Sequence, residues 1–351
     1  MTTQDLEKTA RALVAPGKGI LAADESAPTI KKRFDSIGVA STEENRRDYR
    51  EMLFTTPESE KYVSGVILFD ETLRQNARNG KSLVSILEGK GVIPGIKVDT
   101  GAKNLAGHPG EKVTEGLDGL RERLAEYKQL GARFAKWRAV ITIGDTIPSR
   151  TCIEVNAHGL ARYAKLCQEA GIVPIVEPEV LMDGAHTIER SEAVTSETLH
   201  VVFGELHRQG VSLEGMLLKP NMVLSGYECP QQAGVQQVAE ATVRTFRRHV
   251  PAAVPGIVFL SGGQSDEVAT AHLDAMNRMD ASLRPWQLSF SYGRALQAPS
   301  LKAWGGKPEK VAAGQQAYLH RAQCNGAARH GKYDAAMEAK GAGSVKLVSQ
   351  D

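Results

Sequence analysis

The heptapeptide Gly-Met-Leu-Leu-Lys-Pro-Asn occupies residues 215–221, with the lysine at position 219. A short apolar run closed by turn residues predicts a buried strand. An ammonium group at the end of such a strand is unfavourable unless it pairs with an anion or loses its proton. A lysine that has lost its proton is an amine nucleophile, which forms Schiff bases with carbonyl compounds. Lys219 is therefore a candidate nucleophile at the end of a strand.

Seven similar runs recur along the chain, with helix-length stretches between them. Successive runs start roughly 30 to 45 residues apart, the length of a strand followed by a helix. Their near-continuous Val, Ile and Leu content is typical of parallel strands that are covered on both faces. We predict strands over residues 18–24, 63–69, 93–99, 134–141, 172–180, 215–221, 256–263 and 287–293.

The stretches between these runs predict helices. Residues 117–130 place Leu117, Leu120, Leu124 and Tyr127 on one face and end before a glycine. Ser41 followed by Glu44 predicts a capping box, and residues 231–250 and 309–322 are further predicted helices.

Eight strands alternating with helices predict an α/β protein, a (β/α)8 TIM barrel with additional helices and a flexible C-terminal tail. A barrel of this type needs about 250 residues, so the 351 residues here leave room for both additions. We expect one catalytic domain over residues 1–333 and a mobile tail over 334–351, which is rich in small and polar residues. A doubly wound open sheet is less well supported, because no G-x-G-x-x-G motif follows the first strand.

Polar residues follow almost every predicted strand in or just past its second half. Because the carboxyl ends of barrel strands meet at one rim, residues far apart in sequence converge there. The residues concerned are Asp24, Lys97, Lys136, Glu177, Lys219, Ser261 and Arg294. The sequence thus predicts an active site at this rim.

The composition excludes several classes of function. A formal net charge of +2 provides no overall field for nucleic acid, and no apolar run is long enough to cross a membrane. The first residues lack the basic and apolar regions of a signal peptide. Four dispersed cysteines without metal-ligand spacing predict reduced thiols and a cytoplasmic location.

Lysines and glutamates predicted at the rim are suited to acid–base and nucleophilic chemistry. A second ammonium group, that of Lys136, favours the free amine of Lys219. Glu177 and Glu179 lie two residues apart and share a strand face, so that one serves catalysis and the other the charge network. The sequence alone does not distinguish the two. A metal site built from Glu177, Glu179, Asp183 and His186 is disfavoured, because no paired histidines accompany these residues. We therefore expect no metal and no cofactor.

Two phosphate sites are predicted at the same rim. Loops after the seventh and eighth strands of a barrel frequently bind phosphate, and here residues 260–265 and 291–294 contain glycines, serines and Arg294. Ser265 is placed to cap the next helix. Residues 24–33, together with Lys97, form a second cationic patch.

Long motifs in matching order resemble those of the class I fructose-1,6-bisphosphate aldolases. The resemblance runs from about residue 17 to residue 333, and it is specific because seven separate motifs occur in one order. These motifs are LAADES at 21–26, GIKVD at 95–99, FAKWR at 134–138, PIVEPE at 174–179, LLKPN at 217–221, FLSGGQS at 259–265 and SFSYGRALQ at 289–297.

The resemblance implies a reaction and a role for each predicted residue. Lys219 would form the Schiff base with fructose 1,6-bisphosphate, which is cleaved to dihydroxyacetone phosphate and glyceraldehyde 3-phosphate. Glu177 would be the acid–base residue, Asp24 would orient hydroxyl groups, Lys136 would stabilise developing negative charge, and Glu179 would support the charge network. The implied substrate-binding residues are Ser26, Thr29, Arg33, Lys97, Arg138, Ser261, Gly262, Ser291, Gly293 and Arg294.

The resemblance also implies a homotetramer, and it leaves two differences. Thr29 stands where a serine is usual, which keeps the hydroxyl group. Animal-type members end in a tyrosine that is thought to protonate the enamine, whereas this sequence ends in Val-Ser-Gln-Asp. We therefore expect slower enamine protonation or another proton donor. Two alternatives remain: an aldolase that prefers another ketose phosphate, such as fructose 1-phosphate, and a barrel retained as an interaction scaffold.

Overall fold

Eight parallel strands close into a barrel in the computed structural model, which describes residues 3–342. The predicted (β/α)8 fold is confirmed. The barrel order is β1-β2-β3-β6-β7-β8-β9-β10, with β10 pairing back to β1, and β4 and β5 form a separate antiparallel hairpin. The strands are β1 Gly19–Ala23, β2 Val63–Leu68, β3 Ile93–Lys97, β4 Gly101–Asn104, β5 Lys112–Glu115, β6 Phe134–Ile141, β7 Val173–Val180, β8 Leu217–Leu218, β9 Gly256–Phe259 and β10 Gln287–Tyr292.

Helices surround the barrel and connect its strands. Most of them bury one apolar face against the outside of the sheet, as the amphipathic pattern predicts. In the described range the α-helices are α1 Thr3–Leu13, α2 Ala27–Asp35, α3 Glu43–Phe54, α4 Asp70–Arg74, α5 Leu83–Gly89, α6 Leu120–Gln129, α7 Arg150–Glu169, α8 Ile188–Arg208, α9 Val235–His249, α10 Asp266–Arg278, α11 Arg294–Trp304, α12 Val311–Ala328 and α13 Ala336–Ala342.

Each predicted strand contains an observed strand, but two details of the prediction were wrong. Strand β8 is only two residues long, and Pro220 has no N–H to extend its pairing, although the Lys219 N–H still bonds to the Val176 carbonyl at 2.8 Å. The cap of α3 is Thr42 and not Ser41, since the Thr42 hydroxyl accepts a hydrogen bond from the Asn45 N–H at 3.1 Å.

Helix α1 closes the N-terminal end of the barrel. Its apolar face and the following Val14 form one buried cluster with interior residues of the strands. Gly65 permits this close approach, because a Cβ at that position would lie 2.6 Å from Cδ2 of Leu13. The Ser64 hydroxyl donates a hydrogen bond to the Leu13 carbonyl at 2.5 Å, which fixes the end of the helix. The opposite end of the barrel is lined by polar residues.

A buried arginine connects the end of α12 to the segment before the first barrel strand and to the last barrel strand. Arg329, just after α12, donates to the carbonyls of Lys18 at 2.9 Å, Leu288 at 2.6 Å, Val14 at 2.8 Å and Ala15 at 3.0 Å. Burial lowers the pKa of this guanidinium to about 10. Its partners are carbonyls from both ends of the chain's barrel region, and three of them also accept from Ser289, Asn277 and the Lys18 N–H, so we regard Arg329 as a structural residue.

The predicted tail begins with a helical segment in the described range. Glu338 in α13 accepts hydrogen bonds from Arg321 at 2.5 and 2.6 Å and from the Tyr333 hydroxyl at 2.8 Å. Residues 343–351, which include the chain end discussed above, lie outside the described residues, as do residues 1–2.

All four cysteines are buried and carry free thiols. Burial raises the pKa of Cys152 to about 11 and that of Cys324 to about 12. None of the described helices is both long and apolar enough to span a membrane.

Candidate active site

A cavity of about 720 Å³ lies at the carboxyl ends of the barrel strands. We call it the strand-end cavity. The structure brings all of the predicted site residues to its wall: Asp24, Ser26, Thr29, Arg33, Lys97, Lys136, Arg138, Glu177, Glu179, Lys219, Ser261, Gly262, Ser291, Gly293 and Arg294. Neither Asp183 nor His186, which the disfavoured metal site required, lines it.

Strand register brings Lys219 and Glu177 together. Strands β7 and β8 pair Ile175 with Leu217 and Val176 with Leu218, so Glu177 and Lys219 are the next residues in line. Nζ of Lys219 lies 3.3 Å from Oε1 of Glu177, and both side chains are about 95 % buried, at 5 % and 4 % exposure. The amine is thus held close to a carboxylate in a site that excludes most water.

Lys136 links this pair to the first strand. Its Nζ lies 2.7 Å from Oδ2 of Asp24 and 3.4 Å from Oε2 of Glu177. Charges of opposite sign therefore alternate across the floor of the cavity, in the order Asp24, Lys136, Glu177 and Lys219. Such alternation is what allows four ionisable groups to share a buried region.

The protonation states of Asp24 and Lys136 follow from this arrangement. Burial alone would raise the pKa of Asp24, but the ammonium groups of Lys136 and Lys219 outweigh it and hold that pKa well below its usual range. Burial alone would lower the pKa of Lys136, but Asp24 and Glu177 outweigh it and hold that pKa well above its usual range. Lys136 is consequently a permanent cation at neutral pH.

Two buried oxygen atoms in the cavity accept no hydrogen bond. They are Oε2 of Glu177 and Oγ of Ser291. Oε2 of Glu177 has the Lys136 ammonium 3.4 Å away as an ion-pair partner, so a ligand can still add a shorter hydrogen bond to it. A buried hydroxyl without a hydrogen bond, such as that of Ser291, costs about 1–3 kcal/mol and marks a place where a ligand supplies the missing partner. Glu179 is paired with the Arg138 guanidinium and not with the two lysines. The geometry therefore favours Glu177 for proton transfer and Glu179 for charge balance.

The loop after β9 is a tight glycine turn next to a guanidinium. Gly262 has φ +66°, and a Cβ there would lie 2.3 Å from Cε of Met182, so only glycine fits. Nη2 of Arg294 donates to the Gly262 carbonyl at 2.8 Å, which brings a guanidinium to the loop. The predicted cap is confirmed, since the Ser265 hydroxyl accepts from the Val268 N–H at 3.2 Å at the start of α10.

The second cationic patch lies across the cavity. The hydroxyl groups of Ser26 and Thr29 are 3.2 Å apart. Lys32 lines the cavity, whereas Lys31 is exposed and pairs with Asp35 at 2.7 Å. One lysine of this segment is thus available to an anion and the other belongs to a solvated helix face.

Sequence reasoning missed two buried carboxylates of the cavity wall. Glu25 pairs with Arg33, accepts from Arg50 at 2.7 Å, and accepts from Gln297 at 2.9 Å. It therefore orients Arg33. The sequence feature that could have identified Glu25 is its position directly after Asp24, at the end of the first strand.

The other missed residue is Asp99, which follows the third strand. Its Oδ1 lies 2.8 Å from Nζ of Lys97, and its Oδ2 accepts from the Arg138 N–H at 3.2 Å. Asp99 thereby connects two strands that carry predicted binding residues. The signal was its position two residues after Lys97.

A buried lysine beside a carboxylate, between a glycine turn with a guanidinium and a second cationic segment, is the arrangement of a barrel enzyme of the lysine Schiff-base type. A family model described as class-I fructose-bisphosphate aldolase matches residues 5–351. The chain belongs to the class-I fructose-bisphosphate aldolase family.

Relatives of the same description are similar over nearly their whole lengths. A probable class 1 fructose-bisphosphate aldolase of Xanthomonas campestris is 58 % identical over 334 residues, which cover 95 % of this chain and 99 % of the relative. Fructose-bisphosphate aldolase 5, cytosolic, of Arabidopsis thaliana is 55 % identical over 346 residues, covering 99 % and 96 %.

The fold is also that of a solved aldolase structure. Fructose-bisphosphate aldolase from Plasmodium falciparum, crystallised with TRAP and a small-molecule inhibitor, superposes with a TM-score of 0.93. The two sequences are 52 % identical, and the match covers 95 % of this chain and 96 % of the other.

Proposed function

We propose that this aldolase cleaves fructose 1,6-bisphosphate reversibly to dihydroxyacetone phosphate and glyceraldehyde 3-phosphate through a Schiff base on Lys219. One observation carries the proposal. Nζ of Lys219 lies 3.3 Å from Oε1 of Glu177, whose other oxygen is buried 3.4 Å from the Lys136 ammonium and accepts no short hydrogen bond. A nucleophile and an acid–base group are thus adjacent, and the second oxygen is available to a substrate hydroxyl.

The first step is imine formation at C2 of the open-chain substrate. Glu177 takes a proton from the Lys219 ammonium, and the amine so formed attacks the carbonyl carbon. As a proton moves from nitrogen to oxygen a carbinolamine forms, and Glu177 then gives its proton to the carbinolamine hydroxyl group, which leaves as water. Lys136, a fixed cation, stabilises the oxygen while it carries negative charge.

The second step breaks the C3–C4 bond. Glu177 takes the proton of the C4 hydroxyl group, and the bonding electron pair moves to C3 and is delocalised onto the iminium nitrogen. Asp24, held ionised by its neighbours, orients the hydroxyl groups. Glyceraldehyde 3-phosphate leaves, C3 of the enamine is protonated, and hydrolysis of the iminium releases dihydroxyacetone phosphate and the free amine. The iminium serves as the electron sink, so this route requires no metal or other cofactor.

The two phosphate groups bind at opposite sides of the cavity. The C1 phosphate is bound by Ser261, Gly262, Gly293 and Arg294, with the unbonded Ser291 hydroxyl nearby. The support is the glycine turn beside a guanidinium, which suits a phosphate dianion.

The C6 phosphate is bound by Ser26, Thr29, Arg33 and Lys97. The support is the hydroxyl pair of Ser26 and Thr29, together with a guanidinium that Glu25 holds in place. Arg138 remains beside the substrate through its pairing with Glu179.

The assembly and location are inferred from the family. We infer a homotetramer in the cytoplasm, with no nucleic-acid or membrane partner. The support for the location is the Arabidopsis relative whose name includes the word cytosolic. Light scattering during gel filtration measures the subunit number, and a monomer would contradict the inference.

The experiment that tests the proposal is reduction with borohydride in the presence of fructose 1,6-bisphosphate and EDTA, followed by intact-mass measurement and peptide mapping. We expect one reduced adduct on the peptide that contains Lys219, and none in Lys219→Met. Exposed Lys61 provides a control, since Lys61→Met should leave the adduct unchanged. Cleavage that is lost in EDTA, without an adduct, would mean a metal-dependent enzyme.

A further inference from the structure

Helices α12 and α13 bring together three side chains that the proposed reaction does not use. His320 and Cys324 lie one turn apart on the same face of α12, and Glu338 approaches them from α13. Among residues 3–342, this is the one group of three His, Cys, Asp or Glu residues whose ligand atoms all lie within 4.8 Å of one another. None of the three lines the strand-end cavity.

Two of the three interatomic distances match those of a tetrahedral metal site. Nε2 of His320 lies 3.6 Å from Sγ of Cys324 and 3.5 Å from Oε2 of Glu338. With zinc–ligand bonds of about 2.0–2.3 Å, a tetrahedral angle separates nitrogen and sulfur by about 3.6 Å and nitrogen and oxygen by about 3.4 Å. The third distance, from Sγ of Cys324 to the Glu338 carboxylate, is within 4.8 Å.

A hydrogen-bonded relay does not account for this geometry. In a relay, the two ring nitrogens of histidine serve different partners, one facing the acid and the other the nucleophile. Here the same nitrogen, Nε2 of His320, faces both Cys324 and Glu338. One ring nitrogen has a single lone pair or a single N–H, so it serves one of these neighbours at a time, and Cys324 also hydrogen-bonds to Glu338. A cation at the point between the three atoms would contact all three at once.

Hydrogen bonds from neighbouring side chains already orient the Glu338 carboxylate, as is usual for carboxylates that bind metal ions. Nη1 of Arg321 donates to both oxygens of Glu338, at 2.5 and 2.6 Å, and the Tyr333 hydroxyl donates to Oε1 at 2.8 Å. Such outer partners fix the direction of a ligand. The positive charge of Arg321 also opposes a dication, so the expected affinity is lower than in structural zinc sites.

We propose that His320, Cys324 and Glu338 bind one Zn²⁺ ion, with water as the fourth ligand. Nitrogen, sulfur and carboxylate oxygen form a ligand set that suits zinc. When the ion binds, the Cys324 S–H bond breaks, a zinc–sulfur bond forms and the proton goes to solvent. The ion then cross-links α12 to α13. Side chains of His320 and Glu338 are each 19 % exposed, which provides a path for entry.

Titration of the metal-free full-length chain with Co²⁺ tests the proposal directly, because a sulfur–cobalt bond gives a charge-transfer absorption band in the near ultraviolet. We expect one equivalent of Co²⁺ to produce this band in the wild type and Zn²⁺ to abolish it. The band should be absent in Cys324→Ser and retained in Cys229→Ser, a matched variant of another buried thiol. Absence of the band in the wild type, or its persistence in Cys324→Ser, overturns the proposal.

Thermal unfolding provides a second measurement, which does not depend on the absorption of a cobalt–sulfur bond. Zn²⁺ that binds only the folded chain raises its unfolding temperature. We expect this rise in the wild type and in His158→Ala, an exposed control, and its loss in His320→Ala. An equal rise in His320→Ala overturns the site. Cleavage of fructose 1,6-bisphosphate in EDTA, measured on the same samples, tests the proposed function separately.

Discussion

Lys219 and Glu177 are consecutive partners in the register of two neighbouring strands, and their side-chain atoms approach to 3.3 Å. Because backbone pairing sets this separation, the contact does not depend on a search by long flexible side chains. The amine and the carboxylate are therefore positioned before any substrate binds, which reduces the entropic cost of the reaction.

Replacing Glu177 by Gln should lower kcat by roughly 10²–10⁴-fold, the usual contribution of an acid–base group, with a small change in KM. Glutamine keeps the shape and the neutral hydrogen bonds but cannot take the C4 hydroxyl proton. Steady-state cleavage assays measure the effect. Glu154→Gln, on the exposed face of α7, is the matched control and should retain full activity. Wild-type kcat in Glu177→Gln would assign the proton transfer to another group.

Replacing Asp24 by Asn should produce a pH-dependent loss of stability. The folded-state pKa of Asp24 lies below its ordinary value of 3.8, so its ionised form stabilises the native chain at every pH above that value. This contribution is lost as the pH falls below about 4 towards the folded-state pKa. The wild type should therefore exceed Asp24→Asn in stability at pH 7, and the difference should shrink between pH 4 and pH 2.

Urea midpoints measured across this range check the Asp24 prediction. Asp118→Asn, at an exposed position, reports what the loss of a surface carboxylate does by itself. A difference between the wild type and Asp24→Asn that grows in acid would contradict the ion pair with Lys136.

Two arginine variants should distinguish the C1 phosphate site from the C6 phosphate site. Loss of one charge-assisted contact costs about 1.5–3 kcal/mol, or roughly a 10–100-fold rise in KM. Arg294→Ala should raise KM for both fructose 1,6-bisphosphate and fructose 1-phosphate. Arg33→Ala should raise it for the bisphosphate alone. Arg278→Ala, whose side chain pairs with Asp274 outside the cavity, should change neither value.

A different result for Arg33 would be informative. Its Nη2 lies 3.5 Å from the place that a Cβ on Gly293 would occupy, so its guanidinium also approaches the loop after β10. An equal rise in KM for both substrates in Arg33→Ala would move this residue to the C1 phosphate site.

Arg329→Ala should destabilise the fold without affecting catalysis directly. The variant removes four charge-assisted hydrogen bonds to carbonyls, and we expect a loss of about 2–4 kcal/mol in the free energy of unfolding. Urea unfolding followed by tryptophan fluorescence measures it. Arg208→Ala, an exposed position, should change little. A midpoint for Arg329→Ala equal to that of the wild type would mean that water replaces the guanidinium.

Local patterns predicted the barrel because each strand is an apolar run with turn residues at its ends. Strand β6 occupies the predicted residues 134–141. The hairpin of β4 and β5 was missed, since GAKN and KVTE contain too few apolar residues to form such a run. The cap of α3 was misplaced by one residue because Ser41 and Thr42 both carry hydroxyl groups, and only the backbone conformation selects between them.

The site was predictable where barrel topology alone determines position. Residues at strand ends, such as Asp24 and Lys219, meet at one rim whatever the surrounding side chains are. Glu25 and Asp99 were missed because their roles depend on partners from other elements. The pairing of Glu25 with Arg50 joins the end of β1 to α3, and no local pattern encodes such a contact.

Helix α1 covers the amino ends of the barrel strands, and in the described part of the chain the strand-end cavity opens at their carboxyl ends. The hexose phosphate therefore enters by the same route that both triose phosphates use to depart. In the proposed mechanism, only the aldehyde is free after the carbon–carbon bond breaks, while the ketone product is still bound to Lys219. The products therefore leave in a fixed order, with the aldehyde first. Either product, if it accumulates in solution, inhibits the next turnover.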